Sequence, residues 1–412
     1  MKEHKDVVAC VVDFGMVGVP IAQRLARQPN GFKRVYLFQE WEEDYSTLNR
    51  AIQGEGFGDI TRIADLWSVK NEVDLFVFPD VQRAGLQQEL ERQGKAVWGS
   101  RSGDVQELDR EQFLSTLREV GLEVPPHNVV QGLNALRSFL RDKEDYYVKV
   151  SLYRGSFETC HFRSWKLDEC LLDLFAVRFG PAKELVRFLC FPNIDTKLEI
   201  GADTYCVDGK FPKTILHGVE WKDRSYFGSV QGLSEAPKQI REVLTKFGSI
   251  LGQHRYRNQF SASQLELWAN WPEIVWHGAN GELLEPKPQG KFCAEAIITV
   301  KRDPNEWALF DVPKELKRWC KFAGCFEYEG NICFPACEGG GQDDSVGWLV
   351  AIGNTPEETI KRINAQADML PDGMDANTEC IAYVIKEIQQ EQKAGIHFTS
   401  QAMPKPGYVF EV

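Results

Sequence analysis

The first hundred residues repeat one pattern: a short apolar run, a polar, glycine or proline break, then apolar residues at helical spacing. Val7–Asp13, Val35–Phe38, Val73–Phe78 and Ala96–Gly99 read as strands, being brief runs rich in β-branched and aromatic residues. Val19–Arg27 and Gly85–Gln93 read as helices, and Ala51–Gln53 leads through a glycine-rich patch to Ile60–Trp67. Strands that alternate with helices predict a parallel sheet, because parallel neighbours are joined by crossovers that cover its faces. The expectation is a doubly wound α/β unit over residues 1–103.

A chain of 412 residues exceeds one ordinary core; at roughly 100–200 residues per domain it holds two to four units. Hydrophobic residues at 43% and charged residues at 26% fit a folded globular protein. The net charge of −12 argues against an extended nucleic-acid footprint, which needs a surplus of Lys and Arg. The run Val7–Val12 is short and lacks a small-residue cleavage site, so it is not read as a signal peptide. No stretch approaches the ~18 apolar residues of a membrane-spanning helix. Eleven cysteines, an odd number without a secretion signal, point to reduced thiols and a cytoplasmic location.

Further along, Asp104 to Gly121 reads as one helix with Asp104 as N-cap and Glu107 three residues on. Asn134–Arg141, Asp168–Phe179, Pro237–Leu251 and Ala376–Gln392 read as helices, Tyr146–Val150 and Gly347–Ala351 as strands. Phe260–Trp268 and Val275–Glu285 read as two strands joined by a turn at Trp271-Pro272. Thr355-Pro356-Glu357-Glu358 is a capping box with proline at the first helical position. Asp208-Gly209 reads as a type I′ hairpin turn.

Asp13-Phe14-Gly15-Met16-Val17-Gly18 lies between a strand and a helix, where glycines free a helix N-terminus for an anion. The same residues also suit a plain tight turn, since the full three-glycine dinucleotide pattern is absent. Cys320, Cys325, Cys333 and Cys337 lack paired Cys-x2-Cys knuckles and read as buried or free thiols before zinc ligands. Glu338 to Asp344 reads as a glycine-rich surface loop.

Trp98-Gly99-Ser100, Asp109-Arg110 on a helix, Gly121-Leu122-Glu123-Val124-Pro125 and Tyr147-Val148-Lys149 follow in that order. This order resembles the ATP-grasp superfamily, most of all phosphoribosylamine–glycine ligase and its divergent relatives. The resemblance implies a central ATP-grasp domain over 104–299, with 145–210 as its mobile nucleotide-covering part, and a small α+β closing domain over 300–412. It implies ATP contacts from Arg110, Lys149, the loop residues Arg154, Gly155 and Ser156, and from Glu199 and Asp203. Lysine on a rigid strand suits this role as a point charge against phosphates.

The resemblance further implies substrate contacts from Gly15, Gly18, Glu220 and Asp223, and catalytic parts for Lys222, Lys287 and Arg154. Glu266 and Glu285 would be the paired carboxylates for Mg²⁺, a hard cation that takes few protein oxygens beside phosphate. Lys287 and Gln289 stand where the family carries Asn and Arg. The implied function is an ATP-dependent carboxylate–amine ligase working through an acyl phosphate, its partners a small carboxylate and an amine, in a homodimer by analogy. Two alternatives stay open: a non-catalytic ATP-binding protein on a degenerate ATP-grasp fold, and an NAD(P)-dependent oxidoreductase.

Overall fold

The computed structural model describes residues 1–13, 17–39, 52–152, 158–194, 198–222, 224–258, 261–301, 306–335 and 344–393. The chain divides into two compact units, residues 102–196 and the remainder on either side.

The N-terminal part of the larger unit is the expected doubly wound sheet. Strands β1 (Val8–Asp13), β2 (Arg34–Gln39), β3 (Thr61–Ile63), β4 (Leu75–Val77) and β5 (Ala96–Trp98) run parallel in the order β3-β2-β1-β4-β5. Helices α1 (Gly18–Ala26), α2 (Leu66–Val69) and α3 (Ala84–Arg92) are the crossovers. Ala9 and Val11 join one core cluster with α1, while Cys10 and Val12 join another with Leu66 and Leu90. Burial on both faces explains why β1 is apolar at every position from Val8 to Val12.

The smaller unit starts with two short helices where the sequence predicts one, α4 (Val105–Leu108) and α5 (Arg110–Glu119). Asp104 makes no capping bond; Asp109 instead accepts from the Gln112 N–H at 3.0 Å and restarts the helix. Gly121 closes it with a φ of 72°. An antiparallel sheet follows in the order β6 (Asn128–Gln131), β9 (Arg187–Pro192), β7 (Glu144–Val150), β8 (Thr159–Ser164). Helices α6 (Leu133–Leu140) and α7 (Trp165–Phe179) cover one face, burying Leu136, Leu140 and Phe175 against Val148, Val150, Phe162 and Phe188.

In the larger unit a second sheet joins β10 (Leu198–Asp203), β12 (Thr214–Trp221), β13 (Ser225–Gly232), β15 (Phe292–Val300), β20 (Asp344–Gly353) and β17 (Cys320–Phe322), with β21 (Met374–Ala376) beside β15. Two-stranded β11 (Cys206–Val207) and β14 (Arg257–Asn258), and a small sheet of β16 (Ala308–Phe310), β19 (Asn331–Phe334) and β18 (Phe326–Tyr328), flank it. Its helices are α8 (Lys238–Gln253), α9 (Ala262–Leu267), α10 (Trp271–Ala279), α11 (Lys314–Lys317), α12 (Pro356–Ala367) and α13 (Glu379–Lys393).

Two sequence expectations fail here. Phe260–Trp268 and Val275–Glu285 hold helices α9 and α10 in place of strands, with no strand before Glu285. Ser261 caps α9 by accepting from the Gln264 N–H at 3.2 Å, and Pro272 stands in the first turn of α10, where its missing N–H costs nothing. Both helices are buried nearly all round, from Ser263 to Leu267 and from Trp271 to Trp276, so neither has the solvent-facing polar stripe that marks helical periodicity, and Gln264-Leu265-Glu266-Leu267 alternates polar and apolar as a strand would. Asp208 and Gly209 do form the expected hairpin turn, with φ of 51° and 83°. No described helix is long and apolar enough to cross a membrane.

Candidate functional site

Lys149 sits on β7 in the smaller unit, and strand alternation places it on the face turned away from α6 and α7. Register then lines up aromatic rings on that same face. Tyr147 pairs with His161 of β8 on one side and with Phe191 of β9 on the other, and His127 lies 5.6 Å from Phe191, ring to ring. The Tyr147 and His161 rings stack at 4.6 Å, only 8° from parallel, and the Lys149 ammonium stands 6.0 Å from the Phe191 ring centre. Asp145 orients His161 through a 2.6 Å bond, and its own carboxyl is lowered by hydrogen bonds from Asn193 and His161. A row of flat rings with a cation beside it offers a stacking surface and a charge for phosphate. The Tyr147–Lys149 spacing puts both on one face in the sequence alone, but His161, Phe191 and His127 join them only through register.

Arg110, at the start of α5, pairs with Glu158 at 3.1 Å. Arg154, Gly155, Ser156, Asp223 and Gly15 lie outside the described residues. Gly18 begins α1, and its N–H donates to a buried Asp13 carboxylate at 2.8 Å. A Cβ at Gly18 would stand 2.6 Å from the Asp13 Cβ, so the glycine serves this close turn. The chain's own carboxylate thus takes a helix-start amide that a pyrophosphate would need.

On the larger unit's second sheet, Glu199, Glu220, Tyr226 and Glu295 form one cross-strand row. Lys222 pairs with Glu199 at 3.3 Å. The Tyr226 ring lies over Gly218 and Gly228, where a Cβ would come within 2.5 and 2.6 Å of its hydroxyl. Asp203 belongs to this acidic group. Burial, then the nearby Glu295 charge, push its carboxyl up to about 7, and burial raises Glu295 as well. A carboxyl in that range exchanges protons near neutral pH, a different property from the ATP contact the resemblance implies.

The proposed metal pair is not supported by its surroundings. Glu266 is fully buried on α9, and Arg27 grips both its oxygens at 2.6 and 2.8 Å. Arg318 adds a bond at 2.8 Å and Lys321 another at 2.5 Å. Burial alone would raise this carboxyl, but Lys321 and Arg27 bring it down to about 2. Three cations around one carboxylate repel a dication, so Mg²⁺ does not fit at Glu266. Glu285 is exposed in a loop and accepts from the Lys213 N–H at 2.9 and 3.0 Å and the Thr214 N–H at 3.3 Å. Lys287 faces Glu273 at 3.7 Å, while Gln289 donates to the Glu266 carbonyl at 2.6 Å and accepts from Arg318. Among the described residues no group of three or more His, Cys, Asp or Glu could hold a metal ion. Cys320, Cys325 and Cys333 are free and buried.

No family model matches the chain, and neither does any curated protein. Solved structures do. Phosphoribosylamine–glycine ligase from Thermotoga maritima superposes with a TM-score of 0.61 at 16% identity, over 90% of this chain and 99% of that one. An L-amino acid ligase from Bacillus licheniformis gives 0.54 at 13% identity, over 89% and 98%. The biotin carboxylase domain of the Hydrogenobacter thermophilus 2-oxoglutarate carboxylase, a dimer seen with MgADP, ADP and bicarbonate, gives 0.58 at 11% identity, over 95% and 96%. Together with the parallel sheet and the antiparallel sheets described above, these likenesses show that the chain has the multidomain α/β fold of the ATP-grasp enzymes.

Proposed function

We propose that the protein binds ATP and uses it to join a carboxylate to an amine. Lys149 beside the ring row of β7, β8 and β9 carries this reading, because that face pairs a stacking surface with a phosphate-binding charge. The fold shared with two solved ligases supports it. In this chemistry the carboxylate oxygen attacks the γ-phosphorus, ADP leaves, and the amine nitrogen then displaces phosphate from the acyl phosphate. Positioning and charge carry such a reaction without a protein nucleophile. Mg²⁺ accompanies ATP in this reading, but Glu266 is not assigned to it.

Replacing Lys149 with Ala should weaken ATP binding by about tenfold or more in calorimetry, the loss of one charge-assisted contact. Unchanged ATP affinity would sink the proposal. ADP release across carboxylate and amine pairs then tests turnover. A second reading, ATP binding without catalysis, draws on the cations that engage Glu266; it predicts ATP binding with no ADP release from any pair.

A further inference from the structure

The hairpin turn at Asp208-Gly209 meets helix α8 through glycines. A Cβ on Gly209 would stand 2.3 Å from the Gly248 carbonyl and 2.9 Å from Gly252, so bare backbones touch at the C-terminal half of the helix. One to two turns earlier α8 presents Arg241, Leu244 and Thr245, and the walls part around a cavity of about 620 Å³. Phe211, Leu233 and Leu244 supply its apolar surface. Lys213, just before β12, and Arg241, on α8, bring cations from two different elements. Neither side chain makes an ion pair among the described residues, although the chain carries a net charge of −12. Two unmatched cations in an acidic protein, converging on a partly apolar cavity, describe a complement to an anion with an apolar body. The volume lies within the roughly 300–1,000 Å³ of small-molecule sites.

We propose that this cavity binds a small organic anion, an aromatic or branched aliphatic group bearing a carboxylate or sulfonate. Its head lies between Lys213 and Arg241, and its apolar part lies on Phe211, Leu233 and Leu244. The site shares no residue with the Lys149 face, so it holds whether or not the ligase reading does.

Anilinonaphthalene sulfonate, titrated into the full-length protein and followed by fluorescence, tests this. Binding to one saturable site is expected, with affinity lowered about tenfold or more in the K213E/R241E double variant. The K213R/R241K variant should keep the affinity, and added salt should weaken it in the wild-type protein, as screening of a charged contact requires. Both side chains are exposed, so thermal unfolding should barely change. Absence of saturation, a loss below about threefold in the double variant, salt-independent affinity, or displacement by excess ATP would each overturn the proposal.

Discussion

Glu266 is where a sequence motif and its surroundings part company. A carboxylate in Ser263-Gln264-Leu265-Glu266 reads as a metal ligand until Arg27, Arg318 and Lys321, each distant in sequence, close on it. Removing one partner of a buried ion network leaves uncompensated charge, which costs about 3–5 kcal/mol. Glu266→Gln should therefore lower the unfolding free energy by that order, seen as a lower urea midpoint at unchanged slope, while leaving Mg²⁺ affinity unchanged. Because its carboxyl is held down to about 2 against an ordinary 4.5, its stabilisation is present above pH 4.5 and is lost as pH falls toward 2. Asp203 has the opposite sign. Its carboxyl is raised from 3.8 to about 7, so between those values the folded chain keeps a proton that the unfolded chain has released, and stability falls as pH rises. Asp203→Asn has no proton to lose, and its melting temperature should fall less across that window than the wild type's. An equal slope would show that Asp203 does not titrate there.

Elements were legible where local chemistry acts alone. Thr355 accepts from the Glu358 N–H at 3.1 Å, and the Glu358 carboxylate reaches back to the Asn354 N–H at 2.7 Å, one residue before the position the capping box predicts. Thr355→Ala should cost about 1 kcal/mol, seen as a lower midpoint in urea with an unchanged slope. The Asp208-Gly209 turn was equally legible, since both residues must take positive φ. Helices α9 and α10 were not, because burial nearly all round leaves them no solvent-facing polar stripe to give a helical period. The break at Asp109 was missed for a related reason: Asp104 and Asp109 both satisfy a cap rule, and only the structure shows which one accepts a backbone N–H.

At the scale of the whole molecule, residues 102–196 form a compact unit with its own apolar core of α6, α7 and the four-stranded sheet. Expressed alone, this segment should unfold cooperatively in urea; a gradual, non-cooperative loss of circular dichroism would refute its independence. Short stretches of sequence were enough for the doubly wound N-terminal sheet, the turns and caps, and the order of blocks that resembles the ATP-grasp enzymes. These depend on periodicity, glycine and proline conformation, and capping, all of which act over a few residues. Tertiary structure alone decided that Lys149 shares a face with rings from three other segments, that Glu266 faces cations, and that Asp203 lies among acids. Those outcomes depend on strand register and long-range contact. Register fixes which side chains become neighbours across a sheet, and no short stretch of sequence contains it.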